Sequence, residues 1–312
     1  MAVYEHTYKQ YTGRLTPDWS RFLILPRYAF GSIFQSKLFL AFFFACFICP
    51  LVMAILIYLK HNTNALGLLQ LQINELLPID ASFFKFYVGF QGTLMFFLAM
   101  FVGPTLVARD MTNNALSLYL SRPFSRSEYI LGKMSVLVIL GSAITWAPGL
   151  LLFFFAAYLE GWAWFKENLY IASAIYFGCF VWIILLSLLS LAISAWVKWR
   201  IVSMAILIGL FFVPSIFGGF FNAVLLQAQV QTQFGNLMSL QSLINNAWNG
   251  LFGLFQREVV LQRFTNRRGQ VIEQVTALEP PLWSSWAMLF LITAFCLLLL
   301  YAKIRAYEVV RS

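Results

Sequence analysis

The chain has 312 residues, 61% of them hydrophobic and 11% charged, with a formal net charge of +9. Soluble domains average about 45–50% apolar and about 25% charged residues, so this composition excludes a chain that keeps most of its surface in water. The medium is lipid, and the positive balance then reads as a topology signal and not as a nucleic-acid footprint.

The first 37 residues mix bases with aromatics in "LTPDWSRFLILPRYAFGSIFQSK" and show no short apolar core after a basic start, so no cleavable signal is expected. Pro17, Asp18 and Ser20 supply helix-start chemistry, and the interleaving of Trp19, Phe22 and Tyr28 with Arg21 and Arg27 predicts an interfacial helix over about 17–36. Pro26 is expected to bend or break it. Six apolar stretches follow, at about 38–59, 86–108, 134–159, 169–197, 201–226 and 282–302. Each is long enough for about 30 Å of hydrocarbon and none contains Asp, Glu, Lys, Arg or His. The expected fold is therefore an all-α membrane protein forming one domain over 1–312.

With the amino terminus inside, the Lys and Arg residues divide 14 to 7 in favour of the inner segments, and four of the outer ones sit in the long loop before span six. That asymmetry predicts both termini in the cytoplasm. All four cysteines fall in spans. Cys46 and Cys49 form a CxxC, which at mid-span reads as small apolar side chains and not as a redox pair.

Trp162 and Trp164 anchor a tight outer connection between spans three and four. Span five carries Pro214 and the pair Gly218–Gly219, either a hinge or a site of close helix packing. The loop over about 227–281 begins with "NLMSLQSLINNAWNGLFGLF", which fits short re-entrant or surface helices. It continues with "REVVLQRFTNRRGQVIEQV", which alternates like a hairpin turning at "NRRGQ".

The absences narrow function. No GxxxxGK[ST] occurs, so the chain has no phosphate loop of its own. Neither histidine lies in a span, and no HExxH, GxSxG or intramembrane carboxylate pair exists, so catalytic and metal residues are both expected to be none. Proton- or ion-driven carriers keep ionisable relay groups inside the bundle, and these spans hold none. Energy for uphill transport must enter from another subunit.

The place for that entry is residues 108–133, "ARDMTNNALSLYLSRPFSRSEYILGK", a polar and basic interruption between spans two and three. "MTNNALSLYLS" is spaced for a short amphipathic helix, capped by Thr112, Asn113 or Asn114 and stopped at Pro123. Ser127 is expected to start span three, with Glu128 in its first turn. Asp110, beside Arg109 and near Arg126 or Lys133, can lock the segment by a charge-assisted hydrogen bond. Arg122 and Arg126 also fit as snorkelling charges that set topology.

On these residues the chain resembles the permease subunits of ABC-2 type transporters. Asp110, Leu116, Leu120, Ser121, Pro123, Ser125, Arg126, Leu131, Gly132 and Lys133 match that family's loop pattern, while Asn114–Ala115 stand where it has Gly–Thr. The resemblance implies a cytoplasmic coupling helix at about 111–121 that seats on a separate dimer of ABC ATPase subunits. The ATPase-coupling residues are then Asp110, Asn114, Leu116, Leu120, Arg122, Pro123, Arg126 and Lys133, with Pro214, Gly218 and Gly219 as the candidate hinge.

It implies no cofactor in this chain, ATP and Mg²⁺ being held by the partner ATPase. It also implies a second permease copy, in a homodimer or heterodimer, facing this one through spans one, two and five. The expected role is an exporter of the plasma (bacterial inner) membrane, working by alternating access. The alternative is a membrane anchor through which an ATPase drives mechanical or assembly work on an extracytoplasmic partner held by loop 227–281. No nucleic acid is expected as a partner.

Overall fold

The computed structural model describes residues 24–62, 78–112, 125–197, 199–227, 232–255, 261–265, 271–275 and 278–303. Its elements are, in chain order, α1 (Ile24–Ile33), α2 (Lys37–Ala45), α3 (Ile48–His61), α4 (Ala81–Thr112), α5 (Arg126–Ile144), α6 (Trp146–Glu160) and α7 (Trp162–Glu167). They continue with α8 (Leu169–Trp196), α9 (Arg200–Gln227), a 3-10 turn at Phe234–Met238, α10 (Leu240–Leu251), β1 (Leu261–Thr265), β2 (Val271–Val275) and α11 (Leu282–Lys303). Among the described residues the protein is helical apart from one small hairpin and a few linking turns, and six helical stretches are long and apolar enough to cross a membrane. Span one is α2 with α3, span two α4, span three α5 with α6, span four α8, span five α9 and span six α11.

Caps set several of the starts. Asp80 accepts from the Phe83 N–H at 3.1 Å before α4, and Ser239 accepts from the Ser242 N–H at 3.3 Å before α10. Ser125 and Glu128 form a reciprocal capping box at α5: the Ser125 N–H donates to Glu128 Oε2 at 2.6 Å, and the Glu128 N–H to Ser125 Oγ at 3.2 Å. Span three thus starts at Arg126, capped by Ser125 and one residue ahead of the expected Ser127, about two turns before its apolar run. Pro26 lies within α1, which runs unbroken over Ile24–Ile33; Pro17, Asp18 and Ser20 lie outside the described residues.

The core is spans two, three and four. Of the most apolar 18-residue stretch of each span, 72% is buried in span four and 67% in span two, against 22% in spans one, five and six. Lipid gives apolar side chains no reason to leave it, so close contact here depends on small residues and on hydrogen bonds. Both join α4 to α8. Gly103 admits Ser190, which any Cβ would strike, and Gly92 lies against Trp248 and Trp182. The Trp182 indole donates to the Gly92 carbonyl at 2.9 Å, and Ser190 to the Ala99 carbonyl at 3.2 Å. Trp248, from α10, donates to the Gly178 carbonyl at 3.1 Å and meets Trp182 edge-on at 6.0 Å.

Two spans are broken near prolines. Span one stops at Cys46–Phe47, three residues before Pro50 at the closest, and span three stops at Thr145, three residues before Pro148. Span five instead runs continuously through Pro214. Beyond it, β1 pairs antiparallel with β2 in a register from Leu261↔Val275 to Thr265↔Val271, and Thr232 bridges Leu278 at the base of the loop. The turn "NRRGQ" lies outside the described residues.

Candidate functional site

At the Asp110 end of the bundle, α4 and α5 leave the apolar layer side by side. Asp110 is in the last turn of α4, and Lys133 and Tyr129 lie one turn apart on α5, facing it. Lys133 Nζ is 2.7 Å from Asp110 Oδ2, and the Tyr129 hydroxyl donates to the same oxygen at 2.7 Å. The Lys133 ammonium also sits 5.7 Å from the centre of the Tyr129 ring. The Asp110 and Lys133 side chains are only 14% and 10% exposed and Tyr129 is fully buried. One carboxylate oxygen therefore takes two charge-assisted bonds where water has little access. The result is a staple between the end of α4 and the first turns of α5.

Helix α1 lies across the staple. A cavity of about 450 Å³ between them is lined by Leu25, Tyr28 and Ser32 of α1, Thr105 and Leu106 of α4, and the paired Asp110 and Lys133. Below the staple, the Ser194 hydroxyl of α8 donates to the Pro104 carbonyl at 3.0 Å and accepts from the Ala108 N–H at 3.0 Å. It spans one turn of α4 and holds the segment that carries Asp110. Arg126 does not join the staple; its guanidinium lies 5.8 Å from the ring of Tyr301, in span six.

Of the residues the sequence singles out for coupling, Asp110 and Lys133 are in direct contact and Arg126 is one turn from Tyr129. Asn114, Leu116, Leu120, Arg122 and Pro123 lie outside the described residues, as does most of the expected coupling helix. The candidate hinge divides: Gly218 packs so closely on the Gly235 backbone that a Cβ would lie 2.4 Å from its carbonyl oxygen, whereas Gly219 faces open space. Next to that contact, Asn222 accepts from the Gly235 N–H at 2.7 Å.

Three positions escaped the sequence reading. Tyr129 and Ser194 are ordinary span residues until their partners are known. Gln91, within span two, is the third: its side chain is wholly buried and its amide donates to the Cys46 carbonyl of span one at 2.9 Å. One turn earlier, the Tyr87 hydroxyl donates to the Thr145 carbonyl at the break in span three, at 2.7 Å. A glutamine inside a span otherwise free of amide side chains was the signal available.

The opposite end carries two further polar clusters. Glu160, ending α6, meets Lys60 at 3.2 Å and His61 at 3.3 Å, which end α3. Asn249 of α10 donates to Glu279 at 2.8 Å, and Asn246 to the Pro280 carbonyl at 3.0 Å and to Ser285 at 2.8 Å. Burial pushes the Glu279 carboxyl above the usual carboxylate range, with the Asn249 hydrogen bond and the Lys85 charge opposing. Among the described residues no group of three or more His, Cys, Asp or Glu side chains is placed to hold a metal.

A family model described as ABC-2 family transporter protein matches residues 29–308. Comparison with curated proteins returns no match.

Proposed function

The chain belongs to the ABC-2 family of transporter proteins, and from that premise we propose that it is the permease subunit of an ABC exporter driven by a separate ATPase dimer. The observation that carries the coupling is the Asp110–Lys133–Tyr129 staple. It joins spans two and three at the exit of the connecting segment, so a push on that segment moves two core spans together and is not absorbed by side-chain rearrangement. In this reading the Asp110 end is cytoplasmic, both termini are inside, and the segment at about 111–121 is the coupling helix. Arg122 and Arg126 flank the docking surface, and ATP with Mg²⁺ stays on the partner.

The pairing surface is read from what the core leaves uncovered. Spans one and five are the least buried with span six, and α9 carries a stripe of exposed apolar side chains at Phe212, Ile216, Phe220 and Val224, one turn apart. A second permease copy meeting these faces encloses the path between the two subunits, and closure of the ATPases alternates its opening. The Pro214–Gly219 region is the element of span five that adjusts during this change.

The test is reconstitution of the chain with its ATPase in proteoliposomes. ATP hydrolysis stimulated by the chain, and abolished by replacing 111–121 with a Gly/Ser linker, is the expected result; equal hydrolysis with and without the chain sinks the reading. The hairpin β1–β2 favours a second role, as a handle for an extracytoplasmic partner. Deleting 262–275 while retaining ATP-driven flux separates that role from transport.

A further inference from the structure

We infer that Gln91 is the positioning residue of a hinge in span one, standing in for the backbone donor that Pro50 lacks. In an uninterrupted helix the Cys46 carbonyl would accept from the N–H of residue 50. That residue is proline, so the bond cannot form. A carbonyl left bare at membrane depth is costly, and the Gln91 side-chain amide occupies the vacant place at 2.9 Å.

The backbone shows the consequence. Cys46 and Phe47 stand between α2 and α3, and the Phe47 N–H reaches back only three residues, to the Phe44 carbonyl at 3.0 Å. Gln91 is fully buried, and among the described residues no donor reaches its Oε1. Its position is fixed from the amide side, where the Cys46 carbonyl accepts and the Tyr87 hydroxyl lies close by. The donor comes from span two, in the core, so it holds the interruption of span one against the most buried part of the bundle.

What the hinge carries is α3. Its outward face leaves Ile48, Leu51, Ile55 and Tyr58 exposed, while Met53 and Ile57 are buried, and at its far end Lys60 and His61 meet Glu160 of α6. Beside it, an apolar groove of about 590 Å³ opens between α3 and α4, lined by Cys49, Met53, Phe83, Phe86 and Phe90 among others. Helix α3 is an arm with a pivot at one end, a clasp at the other and space along one side. The claim that the arm pivots during transport rests on the permease reading above; the hydrogen-bond substitution at Pro50 does not.

A double-mutant cycle in the full chain tests the substitution. Gln91→Leu should weaken the unfolding equilibrium in detergent by about ten- to a hundredfold, the range for a buried carbonyl left without a donor. In a Pro50→Ala background, where residue 50 supplies its own N–H, the same change should cost about twofold or less. Equal costs in both backgrounds, or none in either, overturn the assignment of Gln91. Hydrogen exchange followed by mass spectrometry tests the arm: Gln91→Leu should speed exchange across α3 and leave α8 unchanged, and Pro50→Ala should slow it. Exchange in α3 that ignores both substitutions overturns the pivot. Neither measurement needs an ATPase or a substrate, so failure here is distinct from failure of the transport reading.

Discussion

Asp110→Asn isolates the charge of the staple. The amide oxygen can still accept from Tyr129, so that bond survives, while Lys133 loses its counter-charge. The Lys133 side chain is 10% exposed, and removing one partner of a buried pair costs about 3–5 kcal/mol because the remaining charge is stranded. The cavity under α1 gives the ammonium some access to water, which places the expected loss near the lower figure, about 3 kcal/mol. Asp110→Ala removes the Tyr129 acceptor too and should cost about 1 kcal/mol more. Lys133→Met strands the carboxylate and is destabilising by a similar amount. The double variant Asp110→Asn/Lys133→Met strands nothing, and should return to within about 1 kcal/mol of wild type. The assay is the denaturant midpoint of the purified chain, with ATPase stimulation measured on the same preparations; both single variants should lose stimulation. Single variants that each cost less than about 0.5 kcal/mol, or a double variant whose loss is the sum of the two, would refute the reasoning.

Two further substitutions probe how the surrounding spans support the site. Ser194→Ala leaves the Pro104 carbonyl and Ala108 N–H without their side-chain bridge and should cost about 1–2 kcal/mol with reduced ATPase stimulation. Ser187→Ala, at a buried hydroxyl with no partner among the described residues, should be neutral in the same unfolding assay. Glu279→Gln tests the outer end by pH. Burial raises the folded-state value of the Glu279 carboxyl, so ionisation costs more in the folded protein than in the unfolded one. The penalty is absent below the usual carboxylate range, grows as pH rises through it and is complete above the raised value. Glu279→Gln should therefore match wild type in acid and be the more stable protein at neutral pH. A gap that widens toward acid contradicts the assignment.

The spans were legible because about 20 apolar residues without a charge have few other uses, and the hairpin because its alternation is local. The staple was legible in half. Asp110 stood out as an acid at a span end, but choosing between Arg126 and Lys133 required the rotation of α5 about its axis, which a span with no polar face does not reveal. The start of α5 was nearer to hand: Ser125 and Glu128 have capping-box spacing, and Ser127, two residues on and also a good cap, competed for the role.

The breaks show why proline alone is a weak signal. Span five runs through Pro214 unbroken, while spans one and three break near Pro50 and Pro148. At the breaks, partners from span two are in place: Gln91 at Cys46 and Tyr87 at Thr145. Those partners are 45 and 58 residues away in sequence. Their pairing depends on how the helices pack, which no single-sequence pattern encodes. The same holds for Glu160, which meets Lys60 across 100 residues.

The central claim is that ATP energy enters through the segment framed by Asp110 and Lys133, from a subunit docked there. A photo-crosslinking amino acid placed at Leu116 or Leu120, in the chain assembled with its ATPase, tests it most directly. The account predicts a crosslink to the ATPase from either position and none from the same probe at Tyr158, at the Glu160 end. A crosslink from Tyr158 with none from Leu116 or Leu120 would contradict it.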